Sequence, residues 1–124
     1  MASQILATAT GGPGLQSTDD SPKMALGACR VVDMANAGLT LTMARMAPYL
    51  RVDPNGGAQT LVLPATALCA GLVCEILNAA DAAETITLND AAGTLVMSIA
   101  QNRACTIACD GTSWFGHKYT ITLT

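Results

Sequence analysis

The chain has 124 residues, a formal net charge of −3 and only 12% charged residues, about half the share that soluble domains usually carry. Its six lysines and arginines are scattered, and phosphate contacts need clustered cations, so we expect no nucleic-acid partner. Hydrophobic residues make up 51% and aromatic residues 3%, which predicts one domain with a core of small aliphatic side chains. With so few charged residues, a monomer would expose much apolar surface to water, and we expect part of that surface to be buried against other chains.

Targeting signals and membrane spans are not evident in the sequence. The first six residues, Met-Ala-Ser-Gln-Ile-Leu, lack the cationic start and long apolar stretch of a secretory signal. Residues 54–74 are uncharged, but glycine, proline, threonine, glutamine and asparagine interrupt them, so they do not predict a membrane helix. We therefore expect synthesis and folding in a cytoplasm, with no membrane partner.

Residues 1–23 show no sustained helical or strand periodicity, and Gly-Gly-Pro-Gly at 11–14 divides them. Two interpretations stay open: a disordered tail, which is common at termini, or an extended arm that becomes ordered on a neighbouring subunit. The segment carries Ile5, Leu6 and Leu15 with almost no charge, unlike a solvated tail. We assign residues 1–23 as an extended N-terminal arm and residues 24–124 as the folded domain.

Residues 24–46 contain two apolar runs, 28–34 and 39–43, separated by the turn-forming sequence Asn-Ala-Gly at 36–38. This pattern predicts a β-hairpin. Residues 43–47 could also extend as a helical turn that Pro48 ends.

From Tyr49 onward, short apolar runs alternate with glycine, proline, asparagine and aspartate at a spacing of roughly 8–12 residues, which is typical of a small antiparallel sandwich or barrel. Residues 65–83 are ambiguous, because their alanines and leucines also suit a helix. Gly71 and the alternation that follows it favour a loop over 65–70 and then a strand. The predicted strands are 49–52, 60–63, 72–78, 85–89, 94–100 and 103–109, with a last strand or pair over 113–116 and 118–123.

The five cysteines are odd in number and occur without an export signal, so we interpret them mainly as reduced, buried residues. Cys69-x4-Cys74 and Cys105-x3-Cys109 resemble two metal half-sites, and zinc would need short knuckles that present four thiolates. The second pair instead lies within a strand pattern. We expect core packing, with no metal and no cofactor.

Asp110, Ser113 and His117 are close in sequence and suggest a catalytic triad. A triad requires convergence from separate elements beside an oxyanion hole, and three residues on one hairpin arm seldom converge in this way. We interpret Asp110 and Ser113 as turn residues, because Asp110-Gly111 is a hairpin signal, and His117 as a surface or interface residue. We predict no catalytic residue and no enzymatic activity.

Trp114 and Phe115, the only tryptophan and phenylalanine, are adjacent. Neighbouring residues of a strand point to opposite faces, so the pair predicts a core plug that leaves one ring free for an interface.

Four motifs together resemble a β module of tailed-bacteriophage virions, found in capsid decoration (cement) proteins and in head or tail fibres. They span residues 49–115 and are Asp53-x2-Gly56-Gly57-x3-Leu61-Val62-Leu63-Pro64-Ala65, Gly71-Leu72-x3-Ile76-x-Asn78, Ile86-Thr87-Leu88 and Asp110-Gly111-Thr112-x-Trp114. The resemblance implies an all-β, jelly-roll-like sandwich that forms trimers and binds a capsid lattice or a fibre shaft. A short chain with an apolar arm and no fibre-like repeat fits a decoration protein better than a long fibre.

The expected function is therefore structural: a homotrimer on the outer capsid surface that bridges subunits of the major capsid protein. The predicted contact residues are Ile5, Leu6 and Leu15 of the arm, together with Trp114 and Phe115. The alternative is a fibre or receptor-binding module that recognises glycans through its few aromatic residues.

Overall fold

The computed structural model describes residues 29–121, which form nine strands and two single-turn 3-10 helices. The strands are β1 (Cys29–Asp33), β2 (Leu39–Thr40), β3 (Tyr49–Asp53), β4 (Gln59–Val62), β5 (Val73–Asn78), β6 (Ile86–Asn89), β7 (Leu95–Ile99), β8 (Arg103–Cys109) and β9 (Trp114–Thr120). The 3-10 helices are Met43–Arg45 and Thr66–Leu68. This part of the chain is all-β, as the sequence predicts.

The strands form two mixed sheets. Sheet A has the order β1-β3-β5-β8-β9, and sheet B has the order β2-β4-β6-β7. Strands β1, β3 and β5 pair in parallel, and so do β2, β4 and β6. The chain therefore alternates between the sheets and winds through three coils, residues 29–48, 49–72 and 73–89, before β7, β8 and β9 add antiparallel strands.

Side-chain oxygens stabilise the turn at which each coil leaves sheet A. The side chains of Asp33, Asp53 and Asn78 each accept a hydrogen bond from the amide two residues later, at 2.8, 2.9 and 3.0 Å. The Asn55 side chain also donates to Asp33 at 3.0 Å and links the first two turns. Aspartate and asparagine favour such turns because a short polar side chain can replace a backbone acceptor.

Both sheets contribute alternate residues to one shared core. Val52, Ile76 and Ile107 of sheet A and Leu61 and Leu88 of sheet B are fully buried within it. Burying each such side chain contributes about 1.5–3 kcal/mol. The apolar side chains of the core are aliphatic apart from sulfur-containing residues and one tryptophan, in agreement with the composition, and one polar residue, Asn78, is buried with them.

The hairpin predicted for residues 28–43 is wrong. Strands β1 and β2 lie in different sheets, and each pairs in parallel with a strand of the next coil. The turn between them is present, but it carries the chain across the core instead of back along β1. β2 is only Leu39–Thr40, and the 3-10 helix Met43–Arg45 follows it, as the alternative of a helical turn predicts.

Exclusively antiparallel pairing is also wrong, because four of the seven strand pairs in residues 29–121 are parallel. Alternation with a period of two shows which faces are buried but does not encode strand direction. The interpretation of residues 65–78 is confirmed in outline, with a 3-10 turn and then strand β5. The last described segment is one strand, Trp114–Thr120, not a pair.

Candidate interaction surface

The outward face of sheet A exposes a concentration of apolar side chains. Seven large hydrophobic residues are exposed in the described part of the chain, and four of them, Val31, Tyr49, Val73 and Phe115, point outward from this sheet. Val73 lies opposite Ala108 on β8, which in turn lies opposite Phe115 on β9. This row joins three adjacent strands in one apolar strip.

Charged residues also occupy this face, since Asp33, Arg51, Asp53 and Glu75 lie at outward positions of β1, β3 and β5, and Glu75 is engaged within the face. The Tyr119 hydroxyl donates a hydrogen bond to Glu75 Oε1, which raises the pKa of Tyr119 to about 12 because the bond holds the phenol in its neutral form. The His117 ring lies 6.3 Å from that of Tyr119. Glu75 is also in register with Tyr49 on β3, so a carboxylate lies between two tyrosine positions.

An apolar cleft continues this surface around the end of β5. It has a volume of about 310 Å³ and shares Val73 with the outward face of sheet A. The residues that line it are Met43, Met46, Ala47, Pro48, Leu72 and Val73. Methionine adapts readily to an apolar partner because its side chain is unbranched and polarizable.

Trp114 and Phe115 point to opposite sides of sheet A. Trp114 is 8% exposed and packs into the core, where its Nε1 donates to the Pro64 carbonyl oxygen at 3.2 Å. Phe115 is 53% exposed. The core plug is confirmed, and Trp114 is removed from the predicted contact surface because its ring is needed to fill the core. The contact role of Phe115 stays a prediction.

Four cysteines are buried and Cys29 is exposed, and all five thiols are free. Cys74 donates to the Ala47 carbonyl oxygen at 3.1 Å. Burial raises the pKa of Cys74 to about 12 and that of Cys105 to about 11, because a thiolate is poorly solvated there. Within residues 29–121, no group of three or more histidine, cysteine, aspartate or glutamate side chains is arranged to hold a metal ion.

The three residues that suggest a triad have separate roles. Asp110 Oδ1 accepts the backbone amides of Thr112 and Ser113, each at 2.8 Å, and these bonds lower the pKa of Asp110. This confirms Asp110 as a turn former between β8 and β9. His117 lies on β9 in register with Thr106, on the outward face, so the carboxylate is used by the turn and not by an imidazole.

The predicted contact residues Ile5, Leu6 and Leu15 lie outside the described residues. Sequence reasoning also missed the outward positions Val31 and Val73. For Val73 the sequence does contain a signal. Strand β5, Val-Cys-Glu-Ile-Leu-Asn, has apolar residues on both of its faces, which is typical of a strand that is covered on both sides.

Comparison of the chain with protein-family models, curated proteins and solved structures gives no match. In the described part of the chain, no helix has the length and apolar character needed to cross a membrane. The fold and the surface thus define an all-β domain of two mixed sheets with an apolar strip on the outward face of sheet A.

Proposed function

We propose that this chain is a structural virion protein that decorates a phage capsid and stabilises it by bridging subunits of the major capsid protein. It is made in the host cytoplasm, forms a homotrimer and lies on the outer capsid surface. The observation that carries this proposal is the apolar strip of Val73, Ala108 and Phe115 on the outward face of sheet A, in a chain with 12% charged residues. Apolar patches of this kind mark protein–protein contacts.

The proposed action is mechanical. Each copy buries apolar area at roughly 25 cal/mol per Å², less the cost of association. On a repeating lattice, many such contacts add through avidity. Subunits bridged in this way resist the internal pressure of the packaged DNA without any chemical step.

Two sheets around one core support a sandwich as the finer description of the fold. A jelly roll is built from antiparallel Greek keys. The parallel pairing of β1, β3 and β5 argues instead for a sandwich whose first strands form successive coils.

The test combines light scattering with capsid binding. We expect the full chain to be a trimer and to bind expanded capsids. Val73→Lys and Phe115→Lys place a charge on the outward face of sheet A, and each should weaken trimer formation or capsid binding by at least about tenfold.

Leu95→Lys is the matched control, because Leu95 and Val73 are both 59% exposed but Leu95 lies on β7 of sheet B. Equal loss in Leu95→Lys and Val73→Lys would contradict a specific role for sheet A. A wild-type monomer that does not bind capsids would overturn the proposal.

A second candidate is a glycan-binding module of a fibre. It is favoured by Glu75, which lies between Tyr49 and Tyr119 on an exposed face, since sugar sites often combine aromatic rings with carboxylates. Binding of the isolated protein to a glycan array, abolished by Tyr49→Ala but not by Leu95→Lys, would support this candidate over the first.

A further inference from the structure

The first coil has an open side. Within residues 29–121, β1 is the outer strand of sheet A and β2 is the outer strand of sheet B. The Met34 amide donates to the Asp53 carbonyl oxygen at 2.9 Å, and backbone groups alternate in direction along a strand. The amides of Val31 and Asp33 therefore point away from β3 toward the open side, where Val31 is 74% exposed.

The register of the sheets shows what length of chain a further coil needs. In sheet A, equivalent positions of successive coils are Cys29, Tyr49 and Glu75. In sheet B, they are Leu39, Leu61 and Leu88. The interval between two equivalent positions is the number of residues along the chain from one to the next. In both sheets the first interval is shorter than the second, and a further coil should have an interval similar in length to these.

Equal intervals separate Ile5 from Cys29 and Leu15 from Leu39. This common interval is longer than the first and shorter than the second interval of either sheet. Ile5 and Leu15 therefore fall where one more coil would place the equivalents of Cys29 and Leu39.

The residues at this interval match the coil pattern. Leu6 falls at the position of Arg30 and of Leu50, which is fully buried, and Leu15 falls at the position of Leu39. Between them, Gly11 and Gly12 fall at the positions of residues 35 and 36, whose φ angles are 53° and 55°. Glycine adopts positive φ without a steric cost, so this turn suits residues 11–12 better than the residues that form it in the first coil.

The charges of the N-terminal segment also complement those beside the open side of the first coil. A cleft of about 420 Å³ along the open side is lined by Arg30, Val31, Val32, Asp33 and Arg45, and Arg30 donates to the Ala44 carbonyl oxygen. The same interval, counted back from the 3-10 helix Met43–Arg45, leads to positions 19–21, which begin with two aspartates. Two carboxylates would thus lie beside two guanidinium groups.

We propose that residues 5–17 of the same chain form an additional coil on this open side. Residues 5–9 pair in parallel with β1, and residues 15–16 pair in parallel with β2. This placement assigns Leu6 and Leu15 to packing within the chain and replaces the docking role predicted for the arm. It does not depend on the proposed function, which uses the outward face of sheet A.

A disulfide between neighbouring strands tests the register. Ile5 is the proposed partner of Cys29, the exposed cysteine in residues 29–121, and adjacent strands are about 4.8 Å apart, within disulfide range. Ile5→Cys, treated with oxidised glutathione as the electron acceptor, should form an intramolecular bond with Cys29 in most molecules. Leu6→Cys is the control, because its side chain points to the opposite face and should not react with Cys29.

The cross-link is read by mass and by non-reducing electrophoresis. Equal reaction of both variants, or no intramolecular bond in Ile5→Cys, would overturn the proposed register. Covalent dimers in place of an intramolecular bond would show that the segment pairs with a neighbouring copy, which overturns pairing within the chain.

Amide hydrogen exchange provides a second, independent readout. In the full chain, the amides of Val31 and Asp33 should exchange as slowly as that of Val32. Leu6→Asp should accelerate exchange at Val31 and Asp33 by at least about tenfold, because it places a charge in the core. Ala7→Asp, on the outward side of the same strand, should not. Fast exchange at Val31 and Asp33 in the unmodified protein would contradict the additional coil.

Discussion

The indole nitrogen of Trp114 donates a hydrogen bond to the carbonyl oxygen of Pro64 at 3.2 Å, and this contact joins the last described strand of sheet A to the segment that follows β4 of sheet B. Pro64 is itself buried, so its carbonyl oxygen has no easy access to water. The bond therefore satisfies a buried acceptor while the indole fills the end of the core.

Trp114→Phe should lower the free energy of unfolding by about 1–3 kcal/mol, because it leaves the Pro64 carbonyl without its donor and removes ring volume from the core. Urea unfolding followed by circular dichroism measures the change. Phe115→Ser is the control at the adjacent, exposed position, and its effect should stay within about 0.5 kcal/mol. Equal destabilisation by the two substitutions would contradict the division of roles between these residues.

Asn78 is the only buried polar residue of the described core, and all of its hydrogen-bonding groups are used. Its Nδ2 donates to the carbonyl oxygens of Glu84 and Ile99, both at 2.8 Å, and its Oδ1 accepts the Ala80 amide at 3.0 Å. Asn78→Asp replaces the donor with an oxygen that faces two carbonyl groups, so we expect a loss of about 3 kcal/mol or more in unfolding free energy at pH 7.

The loss in Asn78→Asp should be smaller at pH 4, because a protonated carboxyl can donate one of the two bonds. Asn102→Asp, in an exposed turn with φ 61°, serves as the control and should change stability little at either pH. A mild, pH-independent effect of Asn78→Asp would show that the three bonds are not needed.

Gly116 has no room for a side chain. A β-carbon there would overlap the Thr106 carbonyl oxygen and approach Ile107 Cα to 2.9 Å, and both obstacles are backbone atoms that cannot rotate away. Gly116→Ala should therefore destabilise the protein by more than about 3 kcal/mol through strain between β8 and β9.

Gly93→Ala is the control that distinguishes steric overlap of the added β-carbon from strain in the backbone conformation. Gly93 has φ 90° with no atom within 4 Å of the added β-carbon, so its cost should be about 1 kcal/mol. Thermal unfolding of both variants measures the difference. A Gly116→Ala protein as stable as Gly93→Ala would be inconsistent with the close approach of the two strands.

The sequence predicts most strands of this fold because burial and turn chemistry are local properties. Strands β3 to β8 follow alternating apolar residues, and Asp110 and Gly111 mark the last turn. Strand pairing is not local. The turn after Asp33 is compatible both with a hairpin and with a crossing to the other sheet, and only the packing of β1 against β3 decides between them.

The candidate surface could be predicted only in part for a similar reason. The Trp114–Phe115 dipeptide predicts that one ring is buried and the other exposed. It does not predict which ring is buried, because the choice depends on the register of β9 with β8. Tyr49 and Val73 come together with Phe115 on one face only through the order of strands in sheet A, which a linear pattern does not contain.

Thiol reactivity should distinguish Cys29 from the other cysteines. Cys69, Cys74, Cys105 and Cys109 are buried, and burial raises the pKa of Cys69, Cys74 and Cys105, so thiolate formation and reagent access are both suppressed. A chromogenic disulfide reagent at pH 8 should modify one thiol per native chain, and all five after denaturation. Cys29→Ser should abolish the native reaction. Rapid modification of several thiols in the native protein would contradict the buried placement.

Tyr119 should resist ionisation in alkali because of Glu75. Its pKa is raised from 10.0 to about 12, first by the hydrogen bond to Glu75 and then by burial. Since the folded-state pKa is the higher one, the contribution to stability is fully present below about pH 10 and is lost as the pH rises through about 12. In a Tyr49→Phe background, ultraviolet absorbance reports Tyr119 alone, because the chain has two tyrosines. Glu75→Ala in that background should lower the midpoint toward 10, whereas Arg51→Ala should not. A midpoint near 10 in Tyr49→Phe itself would show that the hydroxyl does not donate to Glu75, and the outward face of sheet A would then carry a free carboxylate.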